Sequence, residues 1–275
     1  MFFGCLVAGI AVHSARAAPR HGSVEEWPVT GLAEPSGIVY HPRLKSLFAV
    51  GDEGDVAEID LAGKLLRVKR IRGDLEAITC DPATGKLYVV REGHEIIFEL
   101  DPATFKMLRR FDIDRSYKGD PNFLQRGGDG VEGLAFVTDE HNPEGGRFYA
   151  VNQYDPPVLV ELHLPLRTSK ERFERAKVVG AWPIEGAPLS DVTWDSPANG
   201  FLIVSALWRS VYIVGADGHK LRSVRIPGFM QEGITRLPDG SFVIAQDTGG
   251  LIKWKPDSDP FAAKADDGSD NDHAK

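Results

Sequence analysis

Short runs of apolar residues, each bounded by Pro, Gly or Asp, recur along almost the whole chain. Each unit contains an apolar strand, a tight turn, a second apolar strand, a polar loop and two further strands. Residues 81–85 (Asp-Pro-Ala-Thr-Gly) and 238–240 (Pro-Asp-Gly) are two copies of the first turn. Short segments rich in Val, Ile, Leu, Phe and Tyr between such turns predict β-strands. A strand-built unit that repeats along a chain is typical of a β-propeller.

We count five copies of this unit and therefore predict an all-β fold, a five-bladed β-propeller of four-stranded antiparallel blades. The last copy lacks its fourth strand, whereas residues 27–32 form a spare apolar segment near the beginning of the chain. If these two pair, an N-terminal strand closes the ring and leaves no sheet edge exposed. The predicted propeller domain covers residues 27–256.

The two ends of the chain lack the repeat. Residues 1–17 contain an apolar run that ends in Ala15-Arg16-Ala17, which fits a signal-peptide cleavage site, although no Lys or Arg precedes the run. This pattern predicts export to the periplasm or cell envelope, and the alternative is a frayed N-terminus. Residues 257–275 are rich in Asp, Ala, Gly and Ser and show no apolar period. They predict an acidic, disordered tail.

Charge and cysteine content narrow the functional classes. A net charge of -8 argues against a general nucleic-acid binder, because such proteins need a basic stripe. The chain has no apolar run of about 18 residues, so we expect no transmembrane helix in the mature protein. Cys5 lies in the predicted signal peptide, which leaves Cys80 as the single cysteine of the mature protein. We therefore expect no internal disulfide and a buried Cys80.

Acidic residues begin the first strand in three copies: Glu76, Glu132 and Glu232, each followed by Gly or Ala. Neighbouring strands of a blade run antiparallel. The start of the first strand therefore lies at the same end of the ring as the loop between the second and third strands. One face should combine the three glutamates with residues from the other strand starts and from these loops. The further residues predicted for this binding face are Ser36, Asp52, Glu92, Asn152, Asp191 and Asp247.

Three glutamates that converge on a narrow channel repel one another and lose hydration. They must raise their pKa values, attract cations or bind a metal. Calcium takes six to eight oxygen ligands in loose geometry, whereas zinc prefers His and Cys, which do not occur at these positions. We therefore predict a Ca²⁺ ion held by Glu76, Glu132 and Glu232. The alternative is that these carboxylates accept backbone N–H groups of the neighbouring blade and hold the blades together without an ion.

Four phrases carry a resemblance to a known family: residues 34–38 (Glu-Pro-Ser-Gly-Ile), 74–78 (Asp-Leu-Glu-Ala-Ile), 189–192 (Leu-Ser-Asp-Val) and 56–64. They resemble the bacterial SdiA-regulated family, and the resemblance extends over residues 27–256. It implies a five-bladed propeller, an envelope setting and a calcium site on one face. It implies no established biochemical activity.

Three functions remain open. The first is an envelope module that binds a small molecule, a glycan or a protein, with Tyr154 and Trp208 either as stacking surfaces or as packing residues. The second is a calcium-dependent hydrolase of lactonase or esterase type, an analogy with other metal-holding propellers, with His94 or Asp247 as general base. His94 is alternatively an exposed loop residue, and no Gly-x-Ser-x-Gly motif occurs. The third is a scaffold for an envelope complex.

Overall fold

The computed structural model describes residues 22–124, 130–186 and 188–263. The predicted signal peptide, residues 1–17, lies outside the described residues. Within them the chain is all-β, as predicted, with one short 3₁₀ turn at Ser196–Ala198. The strands in chain order are β1 (Ser23–Trp27), β2 (Pro35–His41), β3 (Ser46–Gly51), β4 (Asp55–Ile59), β5 (Leu65–Arg70), β6 (Leu75–Cys80), β7 (Leu87–Arg91), β8 (Ile96–Leu100), β9 (Met107–Asp114), β10 (Val131–Thr138), β11 (Gly146–Asn152), β12 (Val158–His163), β13 (Phe173–Pro183), β14 (Asp191–Asp195), β15 (Gly200–Ser205), β16 (Ser210–Gly215), β17 (Lys220–Arg225), β18 (Gln231–Arg236), β19 (Phe242–Gln246) and β20 (Leu251–Lys255).

Three sheets have four strands each, in the orders β2-β3-β4-β5, β14-β15-β16-β17 and β1-β20-β19-β18. The other eight strands form one sheet, β10-β11-β12-β13-β9-β8-β7-β6. Its two antiparallel halves meet where β13 and β9 pair in parallel, from Phe173↔Arg110 to Lys177↔Asp114. The first half of the long β13 therefore pairs with β9 and its second half with β12. We predicted a separate four-stranded sheet for every copy. The structure has such a sheet for three copies, and the strands of the other two copies form the eight-stranded sheet.

The first strands of the repeats surround an axis. Strands β2, β6, β10, β14 and β18 each contact the next one, and β18 contacts β2, which closes the ring. Side chains connect these inner strands to one another: the Tyr40 N–H donates to Thr235 Oγ1 (3.0 Å), and the Phe136 N–H donates to Thr79 Oγ1 (3.2 Å). This ring of sheets around an axis is a β-propeller.

Alternating side chains pack each sheet against both of its neighbours. In β3, Leu47 joins a hydrophobic cluster with Val243 of β19, whereas the adjacent Phe48 joins a cluster with Leu87 of β7. Successive residues of a strand point to opposite faces, so a run of apolar residues covers both faces of a buried sheet. Cys80, expected to be buried, is a free buried cysteine. No helix in the described residues is long and apolar enough to span a membrane.

The closing strand lies earlier in the chain than predicted. Strand β1 pairs antiparallel with β20, from Ser23↔Lys255 to Trp27↔Leu251. An N-terminal strand therefore completes the last sheet, but it is not formed by residues 27–32. Pro28 follows β1 directly and lacks the N–H that a continuing ladder needs. Val29 and Leu32 are buried in the turn after the strand, which explains the apolar pattern of that segment.

The segment expected to be a disordered tail, residues 257–275, begins with residues that pack on the last sheet. Phe261 is fully buried against Phe242 and Trp254. Asp259 pairs with Arg236 at 2.8 Å. The expectation of disorder is therefore wrong for residues 257–263, because one buried aromatic residue anchors them without any repeating pattern. Residues 264–275 lie outside the described residues.

Candidate functional site

An open cavity of about 280 Å³ lies where the inner strands of the ring begin. We call it the acidic cavity. Seven carboxylates, one hydroxyl and one amide form its lining, which contains no Lys, Arg or His among the described residues. The lining residues are Ser36, Asp52, Asp74, Glu76, Glu92, Glu132, Gln153, Glu232 and Asp247.

Local backbone geometry directs the axial side chains into this cavity. In β2, β6, β10 and β18 the register of pairing shifts by one residue at the start of the strand. The extra residue of each β-bulge is the one that lines the cavity, and bulges are known to redirect side chains in this way. These residues are Ser36, Glu76, Glu132 and Glu232.

A small residue must follow each bulge because the next inner strand lies directly against it. A Cβ atom added to Gly133 would lie 2.6 Å from the backbone nitrogen of Val192. One added to Gly37 would lie 2.9 Å from the Cα of Ala77. The repeated phrase of Glu followed by Gly or Ala thus has two structural causes. The glutamate is the bulged residue, and the small residue permits close approach of the inner strands.

The pairing of β14 with β15 shows no register shift from Asp191 to Asp195, and the acidic residue of β14 has a different place. Asp191 is buried outside the cavity lining, and its Oδ2 accepts the N–H of Ile234 in β18 at 3.1 Å. Burial raises the pKa of Asp191 to about 8. The interaction between neighbouring inner strands, which was the alternative role for the axial carboxylates, is thus present at this residue.

Asn152 is the second predicted face residue that the structure places outside the cavity lining. It is fully buried, and its side-chain amide donates to the backbone oxygens of Tyr154 and Pro156. Asn152 therefore holds its own loop in shape. The next residue, Gln153, lines the cavity instead.

Two groups of three carboxylates have the spacing of a cation site. One consists of Asp52, Asp74 and Glu76, and the other of Glu76, Glu92 and Glu132. Within each group one oxygen of every residue lies within 4.8 Å of the others. Because Ca²⁺–oxygen distances are about 2.4 Å, two ligands on opposite sides of the ion are about 4.8 Å apart. The oxygen spacing of each triad is therefore compatible with one bound cation, and Glu76 belongs to both triads.

The electrostatics of the cavity favour protons or cations. Burial and then repulsion from Glu132 raise the pKa of Glu76. Burial and then repulsion from Glu92 raise the pKa of Glu132, despite a side-chain hydrogen bond with Glu76. Burial also raises the pKa of Asp52, whose carboxylate accepts a hydrogen bond from the Ser36 hydroxyl.

Glu232 faces the same cavity but belongs to neither triad. Burial, with smaller contributions from Asp247 and Asp52, raises the pKa of Glu232 to about 7. A hydrogen bond with Ser190 partly opposes that rise. Of the three glutamates predicted as metal ligands, two thus lie in a triad and the third lies beside them.

Asp74 was not predicted as a site residue, yet it provides the clearest sign that the cavity suits a cation. Its Oδ1 is buried and has no hydrogen-bond partner. A buried carboxylate oxygen without a partner is costly, and a cation in the triad would satisfy it. The backbone oxygen of Asp74 also accepts the Glu92 N–H at 3.0 Å, which holds the two acidic segments together.

The residues predicted as general bases or as stacking surfaces lie in different parts of the structure. Asp247 lines the acidic cavity, whereas His94 lines another cavity together with Arg110, Arg115 and Arg175. Tyr154 is 38% exposed and Trp208 is 54% exposed. Both aromatic side chains are therefore accessible to a ligand.

Comparisons with known proteins relate the chain to one sequence family and to solved structures of similar fold. The sequence model of the SdiA-regulated family matches residues 14–182, more than half of the chain. None of the curated proteins matches the sequence. The crystal structure of Myxococcus xanthus glutaminyl cyclase is similar in fold, with a TM-score of 0.57 and 16% identity over 84% of this chain and 94% of that one. A streptogramin B lyase structure has a TM-score of 0.50 and 11% identity over 85% of this chain and 97% of that one.

Proposed function

The chain belongs to the SdiA-regulated family, and we propose that it is an exported, calcium-binding β-propeller that recognises a ligand or partner in the cell envelope. The observation that carries this proposal is the pair of carboxylate triads that share Glu76 in the acidic cavity. The unpartnered oxygen of Asp74 supports it further, because a cation in the first triad would complete that group.

Calcium suits this cavity better than other common metals. Its lining offers carboxylate, hydroxyl and amide oxygens, and no His or Cys is among its residues. Magnesium binds fewer carboxylates and keeps more of its water in a strict octahedron, which an irregular acidic cluster does not provide. The residues that would hold the ion are Asp52, Asp74, Glu76, Glu92 and Glu132.

We further infer that the propeller has five blades. The five inner strands that contact one another in a closed ring support this count. The parallel pairing of β9 with β13 then joins the outer strands of two neighbouring blades. The envelope setting rests on the signal-like pattern of residues 1–17 and on the family.

The binding role follows from the space and charge around the proposed ion. A cavity of about 280 Å³ is much larger than one ion, since a water molecule occupies about 30 Å³ of liquid. One Ca²⁺ neutralises two charges among seven carboxylates, so the face favours cationic or hydroxyl-rich groups, as in a small molecule, a glycan or a protein loop. Tyr154, next to Gln153 of the lining, offers an exposed ring for such a ligand.

The test is a calorimetric calcium titration of chelator-treated protein, with thermal melts in parallel. Glu76→Gln should weaken calcium binding at least about tenfold, because it removes a charged ligand from both triads. The matched control Glu140→Gln, an exposed residue outside the cavity, should bind calcium as the unchanged protein does. Calcium at about 100 times its Kd should stabilise the fold by about 2.7 kcal/mol. Absence of binding, or equal affinity in Glu76→Gln, would refute the calcium site.

A calcium-dependent hydrolase is the second candidate, and one observation favours it. Asp247 and Glu232 line the acidic cavity but belong to neither triad, so both carboxylates stay available to move a proton. A bound calcium ion would supply polarisation of a substrate carbonyl. The two solved structures of similar fold are named as enzymes, a cyclase and a lyase, although the likeness concerns the fold alone.

The two functions differ in a measurable way. A hydrolase should turn over members of a panel of lactones and esters in calcium, and Asp247→Asn should lower kcat while Glu140→Gln leaves it unchanged. A binding module should show calcium affinity but no calcium-dependent turnover. Turnover that persists in chelator, or that Asp247→Asn does not reduce, would contradict the hydrolase.

A further inference from the structure

A second cavity of about 340 Å³ lies at the other end of the inner strands. We call it the distal cavity. On β2, β6, β10 and β18 one of its lining residues stands four positions after the bulged residue of the acidic cavity, and β14 contributes Trp194. These five lining residues are Tyr40, Cys80, Phe136, Trp194 and Arg236.

The two cavities are separate. Four residues of a β-strand span about 13 Å, and no residue lines both cavities. The residues midway along the inner strands are buried, as Ile78, Leu134 and Ile234 show. A ligand in the distal cavity would therefore not touch the carboxylate triads.

Three of the residues that line the distal cavity are aromatic, and ring contacts hold two of them in place. Trp194 packs edge-on against Phe201, with ring centroids 5.0 Å apart. Phe136 packs against Phe148 with the same separation. Tyr40 completes the aromatic set. Rings fixed in this way offer stacking and edge contacts to a planar ligand without a further loss of side-chain freedom.

The polar groups of the wall suit hydrogen-bond acceptors. Thr79 Oγ1 and Thr235 Oγ1 each accept a backbone N–H from the next inner strand. A hydroxyl that accepts in this way still has its proton to donate. Both threonines line the cavity, so a carbonyl oxygen or a ring nitrogen of a ligand can accept from them.

The charge of the wall disfavours anions. Arg236 is the basic residue of this lining. Its guanidinium pairs with Asp195 at 2.5 Å and with Asp259 at 2.8 Å. Asp195 belongs to the lining, whereas Asp259 lies outside it. The three groups together carry one net negative charge, and the arginine has no free charge for an acidic ligand.

We propose that the distal cavity is a second binding site, which takes a small planar aromatic or heteroaromatic molecule that is neutral or cationic. The aromatic wall supplies stacking, the threonine hydroxyls supply orientation, and the paired arginine with its two aspartates supplies the charge preference. The site works independently of the calcium-binding end of the ring.

Three probes with one ring system and different charges test the proposal: indole, tryptamine and indole-3-acetate, each titrated by ligand-observed NMR. Indole and tryptamine should bind, and indole-3-acetate should bind at least about fivefold more weakly because of its like charge. Trp194→Leu should weaken indole binding about tenfold through lost stacking. The control Phe173→Leu changes an exposed aromatic outside both cavities and should leave the affinity unchanged.

A measurement on the unchanged protein covers the case in which Trp194→Leu fails to fold. Cys80 lines the distal cavity, and its thiol donates to the Tyr40 backbone oxygen at 3.8 Å. The rate at which methyl methanethiosulfonate modifies Cys80, read from its peptide by mass spectrometry, should fall when indole is present at saturation. Absence of indole binding, or an unchanged rate at Cys80 under saturating indole, would overturn the proposal. Equal indole affinity in a folded Trp194→Leu variant would do the same.

Discussion

Replacing Glu232 by Gln should stabilise the metal-free protein at alkaline pH. Glu232 is buried in the acidic cavity near Asp247 and Asp52, and it belongs to neither carboxylate triad. Gln keeps the shape of Glu and a carbonyl oxygen that can accept a hydrogen bond from Ser190. It removes only the charge, so the substitution isolates the cost of an ionised carboxylate in this position.

The size of the effect follows from the pKa. Burial, then repulsion from the neighbouring carboxylates, raises the pKa of Glu232 from 4.5 to about 7. Each pKa unit corresponds to about 1.36 kcal/mol, so ionisation costs the folded state roughly 3 kcal/mol relative to the unfolded chain. Because the pKa of Glu232 is raised in the folded state, the folded protein has its full stability below pH 4.5, where Glu232 is protonated. That stability is lost as the pH rises through 7 and Glu232 ionises. Glu232→Gln should therefore gain up to about 3 kcal/mol at pH 8 and less than about 1 kcal/mol at pH 5.

Urea unfolding in chelator, at pH 5 and pH 8, measures this difference. Glu140→Gln, an exposed residue on a turn, is the control and should change the free energy of unfolding by less than about 0.5 kcal/mol at either pH. Equal stability of Glu232→Gln and the unchanged protein at pH 8 would refute the argument that burial and repulsion make the ionised form of Glu232 destabilising. A gain of equal size at both pH values would refute the role of ionisation.

Three further predictions concern residues that hold the strands together, and each is checked by urea unfolding and a parallel calcium titration. Asp191→Ala should cost about 1–3 kcal/mol, because it leaves the Ile234 N–H buried without a partner, while calcium affinity stays unchanged. Phe261→Ala should cost about 3–5 kcal/mol, since its ring is fully buried against the last sheet, and a smaller loss would contradict the anchoring of residues 257–263. Gly133→Ala should cost about 1–3 kcal/mol, because its Cβ would lie 2.6 Å from the Val192 nitrogen, and wild-type stability would disprove that close approach.

The fold class was predictable because the pattern of apolar strands and turns that indicates it recurs in every copy. Turns rich in Pro and Gly between apolar runs mark the strands, and every copy adds evidence for the same unit. The joined eight-stranded sheet gives no such signal. It depends on the first half of β13, whose segment Phe-Glu-Arg-Ala-Lys pairs with β9 through backbone groups that any sequence possesses. The closing strand was misplaced for a related reason, since Ser23–Trp27 is mostly exposed and polar, whereas the turn after it is apolar.

The candidate site was predictable where one residue type recurs and not where a residue occurs once. Glu76, Glu132 and Glu232 stand at the same position in three copies, and the structure places all three in one cavity. Gln153 occupies the position that Asp52, Glu92 and Asp247 hold in other copies, as the shared backbone hydrogen bond of these four residues shows, but it is an amide and not an acid. Asp74 shares its position with Glu34 alone, so its acidic type does not recur in most copies. Adjacent residues of a loop point in different directions, so a shift of one residue in aligning the copies was enough to select Asn152 in place of Gln153.

The backbone that directs the carboxylates inward also holds them close to one another. Each bulge turns its side chain toward the axis, and the small residue after it lets the next inner strand lie within contact distance. The axis is therefore narrow, and oxygens of Glu76, Glu92 and Glu132 lie within 4.8 Å of one another. Neutral side chains of the same shape would remove this repulsion at no cost to the packing. Sequences that break a local physical rule usually do so at a functional site, and a cation is the ligand that turns this repulsion into attraction.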